Sequence, residues 1–310
     1  MNAHRPALTR RRVLVALLVV AIVGMAGIVW KGAWVSDRVH AVARRIELLV
    51  DPPPDRPIAG TVLITPRPAT TPAPTPTAGT SAGPAASADP GTATPSPTST
   101  PLPQRVRVDV NLLTHPEKHF ISEEYDHEWC AVAGTQMVLA MLGKAPLTLA
   151  FQKELASRIG EWESRRDSLN GGWGPGAMVA ALKAYGVGGY QVRAYETRAD
   201  ALYDAAVAIE TTHEPVMLLA WRGAHTWVMT GFRADGDPVV FSDAKVTGGY
   251  ILDPWYPIYS SIWGYSDPPG TFENLASMRE NYLPWKRPEG HYPDRDGLFI
   301  AVVPTTPKGG

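Results

Sequence analysis

Cysteine is almost missing from this chain of 310 residues: Cys130 stands alone. An intramolecular disulfide is therefore excluded, and so is a multi-cysteine zinc or iron–sulfur site. Net charge is nearly missing too, at −1, but it is unevenly divided. Residues 1–104 carry ten Lys/Arg against five Asp/Glu, and residues 105–310 carry nineteen against twenty-five. An acidic globular part argues against nucleic acid as a partner, because phosphate binding needs clustered Lys and Arg.

Two stretches are defined by what they lack. Val13–Trp30 has no charged residue for eighteen positions, after a basic start with Arg5, Arg10, Arg11 and Arg12. Its length is about that needed to cross a hydrocarbon core, with Trp30 at the interface. No small-x-small cleavage site follows it, so a retained anchor is expected over a cleaved signal peptide. The arginines then favour a cytoplasmic tail over 1–12, with everything beyond Trp30 outside the cell membrane as a single-pass protein. The second stretch, residues 65–104, has eleven prolines and only one large apolar side chain, Leu102. It cannot bury enough surface to fold and reads as a disordered Pro/Thr/Ser/Ala-rich linker, a spacer outside the cytoplasm. Between them, residues 31–64 read as a juxtamembrane helix and connector. Val35, Val39, Val42, Ile46 and Leu49 form one apolar stripe, and Pro52–Pro54 end it.

Residues 105–304 hold all eleven tyrosines, all six phenylalanines and eight of ten tryptophans, which is ample material for one core; 305–310 is a flexible tail. Val106–Leu113 reads as an extended lead or first strand. Helices are expected over Ala131–Leu142, Phe151–Trp162, Gly174–Tyr185 and Ala199–Glu210. Short β-type runs follow at Pro215–Trp221, Thr226–Phe232, Val239–Phe241, Tyr250–Leu252 and Leu298–Val303. Helices first and strands later predict an α+β fold, with N-terminal helices packed on an antiparallel sheet.

Three places carry chemistry. Cys130 stands at the start of a helix, where unsatisfied N–H groups and the dipole favour a thiolate. His225 opens a strand directly after a glycine-containing turn, a place from which a base can accept a thiol proton. Asp253 ends a short strand that can lie beside the His225 strand, where a carboxylate can fix the imidazole tautomer. Each has a plainer alternative: a small buried hydrophobe, a strand-end histidine and an Asp-Pro turn.

In order and context the three segments resemble the C39-like cysteine peptidases of the papain-like superfamily. The resemblance rests on Cys130-Ala131-Val132-Ala133-Gly134 in a helix that ends at Gly143, on Gly223-Ala224-His225 in a strand that reaches Gly231-Phe232, and on Asp253-Pro254. It spans roughly residues 120–257, with weaker cover to 303. It implies a papain-like fold with Cys130 as nucleophile, His225 as base and Asp253 as orienting acid, acting on peptide or cell-wall peptide bonds without a cofactor. The sequence departs from the family in two ways. Ala131 and Val132 stand where Gly-Pro is usual, and no Gln precedes Cys130 after Gln104 to donate to an oxyanion. Glu123, Glu124, His127 and Trp129 are the candidates for that place; an ionised carboxylate only accepts hydrogen bonds and would repel an oxyanion.

Trp173, Gly174, Trp227 and Trp255 are candidates to line a cleft, and a dense aromatic run over 250–265 could stack on sugars or peptides. Asp243 competes for the orienting role. His115 and His119 lack a third ligand, and no metal is assigned. The glycine-rich run 170–176 lacks the lysine of a phosphate loop. A catalytically weak surface-binding module and a cell-wall amidase or endopeptidase stand as alternatives to the peptidase.

Overall fold

The computed structural model describes residues 54–65, 103–123, 129–168, 173–286 and 290–305. The expected tail over 1–12, the span over 13–30, the juxtamembrane helix over 35–50, nearly all of the linker over 65–104 and the tail beyond 305 lie outside these residues. Among the described residues no helix is long and apolar enough to cross a membrane.

The domain is α+β, one sheet between two layers of helices. Strands β1 (Val62–Leu63) and β2 (Val108–Asn111) come first. Helices α1 (Cys130–Met141), α2 (Leu149–Ser157), α3 (Ile159–Trp162) and α4 (Pro175–Ala184) follow. Then come β3 (Tyr190–Tyr195), α5 (Arg198–Thr212), β4 (Val216–Ala220), β5 (His225–Ala234) and β6 (Val246–Leu252). The hairpin β7 (Tyr259–Ser260) and β8 (Gly264–Tyr265), β9 (Thr271–Asn274), α6 (Leu275–Asn281) and β10 (Phe299–Pro304) complete the strands and α-helices of the described residues. The sheet runs β1–β3–β10–β4–β5–β6–β9, with β2 also on β5. Its pairs are antiparallel except for β1 on β3.

Helix α1 explains itself. CAVAGTQMVLAM carries no charge and buries ten of its twelve residues, so it belongs inside the domain. It lies across β5 at close range: a Cβ on Gly134 would come within 2.9 Å of the Thr226 methyl. Its two polar residues are satisfied. Thr135 Oγ1 donates to the Ala131 carbonyl, and Gln136 Nε2 donates to the Pro146 and Thr148 carbonyls. One core, with Met137, Leu139, Leu182 and Val228, lies under α1 and α4; a second, with Leu202, Ile209, Met229 and Phe232, lies under α5 on the opposite face.

Several local expectations are corrected. The run Phe151–Trp162 is two helices, because the backbone turns at Arg158 and the Glu161 carboxylate holds its guanidinium at 2.8 Å. Val239–Phe241 is a turn, not a strand: Pro238 precedes it and the Asp237 carboxylate accepts the Val239 N–H. Strand β3 stands among the helices, although its alternation was readable: Tyr190, Val192 and Ala194 are buried and Gln191 is exposed.

Residues 54–64 lie on the domain as a strap. The Pro54 carbonyl accepts Arg165 N–H, Arg56 donates to the Gly160 and Glu161 carbonyls, and Ile64 N–H donates to Ala194 O. Arg295, one of the most deeply buried side chains, donates from Nε to Thr61 Oγ1. β1 precedes the proline-rich segment in the sequence and β2 follows it, and both strands belong to one sheet.

Candidate active site

The start of β5 is made by a tight turn. Trp221, Arg222 and Gly223 all have positive φ, and a Cβ on Gly223 would sit 2.3 Å from the Trp285 ring. Glycine is therefore required there, and the chain is turned so that His225 opens β5 opposite Ala220. Antiparallel pairing of β5 with β6 brings the end of β6, and Asp253 just past it, alongside.

His225 Nε2 and Asp253 Oδ1 are 2.6 Å apart, and both residues are buried. A carboxylate only accepts hydrogen bonds, so Nε2 carries the proton and Nδ1 faces away from the acid. Asp253 also accepts the Trp255 N–H at 2.9 Å. Burial works against the Asp253 charge, but the His225 imidazole, the Trp255 N–H and the Ser266 hydroxyl outweigh it and hold the carboxyl below its usual range. The imidazole stacks on Trp221 at 4.0 Å and 18°, Trp255 closes on it edge-first, and Trp263 stacks parallel to Trp221 at 5.6 Å.

Cys130 is the first residue of α1. Its sulfur lies 3.8 Å from the Ala224 carbonyl oxygen, and the N–H groups of Thr226 and Ala131 point at it. The sulfur thus rests against the backbone on both sides of His225. Burial pushes the thiol far above its ordinary value; the charges of Glu123 and Asp253 push the same way, and the two N–H groups oppose them. A lone thiolate is unfavourable in this place. A thiolate paired with an imidazolium is not penalised in the same way, since proton transfer between the two leaves the net charge unchanged.

Of the residues proposed for the oxyanion side, Glu123 is buried near the sulfur, and its backbone N–H donates to Pro254 O at 2.9 Å. Trp129 is the half-buried residue preceding the helix and packs on the core under α1. Glu124 and His127 lie outside the described residues. Trp255 touches His225, whereas Trp227 is buried in the core under α5 and offers no cleft surface. Trp173 packs edge-on against Trp162 at 5.3 Å. Gly174 and Gly176 lie against Asp167, where a Cβ would come within 2.5 and 2.9 Å of its carboxyl atoms. That carboxylate accepts the N–H groups of Gly176 and Ala177 and pairs with Arg295 at 2.9 Å, so Asp167 caps α4 and the two glycines make room for it. Asp243 is held by Arg105 at 2.9 Å, and His115 is an exposed neighbour of Glu117.

Sequence reasoning missed the Trp221–His225 stack and the carboxyl group of Glu273, which burial and its neighbours Asp267 and Asp253 push up to about 7. The stack is local, closed across the Trp221–Gly223 turn, whereas Glu273 carries no sequence signal because its burial depends on β9 lying against β6.

No family model and no curated protein matches the chain. Among solved structures, it is similar to a double glycine motif protease from an AMS/PCAT transporter, in complex with the leader peptide, at 17% identity and a TM-score of 0.31, over 60% of this chain and 91% of that one.

Proposed function

We propose that the domain is a cysteine peptidase that hydrolyses peptide bonds through Cys130, His225 and Asp253, in a papain-like arrangement. One observation carries the reading: the buried 2.6 Å contact of His225 with Asp253, with the Cys130 sulfur seated against the backbone on either side of His225. The order of these motifs along the chain supports it. In the proposed mechanism the thiol proton passes to His225 Nδ1 while Asp253 holds Nε2–H. The sulfur then attacks the amide carbon, and the Cys130 backbone N–H, at an uncapped helix start, donates to the oxyanion. Imidazolium Nδ1–H protonates the leaving amine as the C–N bond breaks. Water, deprotonated by His225, cleaves the thioester and returns acid and thiol. The same reading takes Val13–Trp30 as a single membrane span, with the domain outside the cytoplasm facing peptide or cell-wall peptide substrates.

A second reading is a catalytically weak binding module on the same frame. The burial of Cys130 beside two carboxyl groups favours it. Labelling with a thiol-directed peptide electrophile separates the two. The peptidase reacts at a rate that needs His225, and Cys130→Ala removes both label and turnover while unfolding is unchanged. A module reacts slowly, with or without His225→Ala.

A further inference from the structure

The turn that opens β5 holds its backbone in an unusual form. Trp221 and Arg222 both take positive φ, 50° and 62°, a conformation that residues with a Cβ resist. What this backbone achieves is a contact. The Trp221 indole lies nearly parallel to the His225 imidazole, with ring centroids 4.0 Å apart. The indole is held there by more than packing. Its N–H donates to Asn281 Oδ1 at 2.9 Å, and Asn281, the last residue of α6, donates from Nδ2 to the Ser277 carbonyl at 3.2 Å. The end of α6 is tied to α5 in turn, since Arg198 Nε donates to the Tyr282 carbonyl at 2.8 Å. Trp221 and His225 are both buried, so water screens the contact little.

The face of an indole carries negative charge density and attracts a cation whose centre lies within about 6 Å. Donation of the indole N–H to an oxygen pushes further electron density into the ring. The titratable and charged groups around the imidazole are Asp253 past β6, the Cys130 thiol at the start of α1 and, beyond the sulfur, Glu123; Arg222, on the turn itself, is exposed. Asp253 meets the imidazole at its Nε2 edge, and Trp221 meets its face. We propose that Trp221, pinned by Asn281, is a positioning residue for His225: it fixes the plane of the imidazole, and its ring face attracts the imidazolium that forms when the thiol proton is transferred. The consequence for the thiolate rests on the peptidase reading; the attraction between indole and charged imidazole does not.

The test replaces Trp221 in the full chain by mono-, di- and trifluorotryptophan, which nearly keep the shape and the N–H of the indole while draining charge density from its face. The readout is the rate of Cys130 alkylation by iodoacetamide at pH 7. The logarithm of the rate is expected to fall in step with each fluorine. Where the unmodified thiol reacts faster than an ordinary one and needs His225, equal rates in all four proteins overturn the proposal, because a role in shape alone predicts them. Trp221→Leu, apolar and without a ring face, is expected to lose about 3- to 30-fold, the range of a cation–aromatic contact, and Trp221→Phe to keep part of what Trp221→Leu loses. Asn281→Leu strands the indole N–H and is expected to slow the reaction severalfold, and Asn281→Asp, which retains an acceptor oxygen, to restore it; a wild-type rate in Asn281→Leu overturns the pinning. In Cys130→Ala the same four side chains are read without any reactivity. At the pH that leaves half of the His225 rings charged beside tryptophan, followed by NMR of their carbon-bound protons, each fluorine is expected to lower the charged fraction. An unchanged fraction overturns the attraction. Alkylation no faster than that of an ordinary thiol, with that fall present, supports the attraction and refutes the peptidase reading alone.

Discussion

Replacing Asp253 by Asn tests the pairing at the centre of the site. The amide has nearly the same size, and its oxygen still accepts from His225 Nε2–H and the Trp255 N–H, so what is removed is the charge. A hydrogen bond to a charged group is worth about 1.5–3 kcal/mol and a neutral one about 0.5–1.5, so the floor of the loss is about 1–2 kcal/mol, or roughly 5- to 30-fold in the population of the thiolate–imidazolium pair. Direct attraction between an imidazolium and a carboxylate at this 2.6 Å separation sets a ceiling of about 6 kcal/mol at an effective dielectric constant of about 20. One effect runs the other way: the Asp253 charge also opposes the thiolate, but it is the weakest of the influences on the sulfur. The net expectation is a drop of about tenfold or more in the rate of Cys130 alkylation, measured under pseudo-first-order conditions. The pH dependence is fixed as well. Asp253 is held below its usual range, so its charge persists into acid, and the wild-type-to-variant ratio stays level between pH 5 and 8. It converges only when more acid conditions protonate Asp253 in the wild type. A rate within twofold of wild type, or a ratio that collapses near pH 6, would refute the assignment of Asp253 as the group that holds the imidazole.

Three further outcomes follow from the packing and the charges. Gly134→Ala sets a methyl 2.9 Å from the Thr226 methyl and should cost about 1–3 kcal/mol in urea unfolding and slow Cys130 labelling; adding Thr226→Ser, which removes the opposing methyl, should recover part of both. Glu123→Gln removes the charge that, after burial, most raises the Cys130 thiol, and should speed alkylation at neutral pH on the order of tenfold, the equivalent of one pKa unit; an unchanged rate takes Glu123 out of the field at the sulfur. Removing residues 1–65 strips β1 from the β3 edge and takes the Thr61 hydroxyl from buried Arg295, and should lower stability by about 2–4 kcal/mol, read as a lower urea midpoint than that of a chain beginning at residue 53.

What the sequence disclosed was local. The uncharged run from Cys130 to Met141 predicts a buried helix beginning at the cysteine, and a glycine two residues before His225 predicts a turn opening a strand; both stand where expected. Asp253 beyond a short β run needed only the guess that its strand neighbours that of His225, which antiparallel pairing of β5 and β6 supplies. Features that depend on distant pairing were not legible. β1 is two residues long, too short for any periodicity, and exists because the edge of β3 accepts it. Glu273 reads as one more polar position until β9 is laid against β6 and the carboxyl is buried beside Asp267. Gly174 and Gly176 precede and open α4, and the reason they are glycine is the Asp167 carboxylate, which caps α4 from within the domain and leaves no room for a Cβ.

The strap ties residues that precede the proline-rich segment into the domain. Ile64 is hydrogen-bonded to β3, and Val108 is paired with Ala234 on β5. Both attachments belong to one sheet. The Pro54 carbonyl is fixed to Arg165. Arg295 makes the strap part of the interior: one buried guanidinium binds Thr61 of the strap, the Asp167 carboxylate and the Asp167 carbonyl together. Since Asp167 also caps α4, the strap, the α4 start and the loop before β10 share one buried charge pair. Loss of either partner would leave an uncompensated buried charge, about 3–5 kcal/mol, and loosen all three at once.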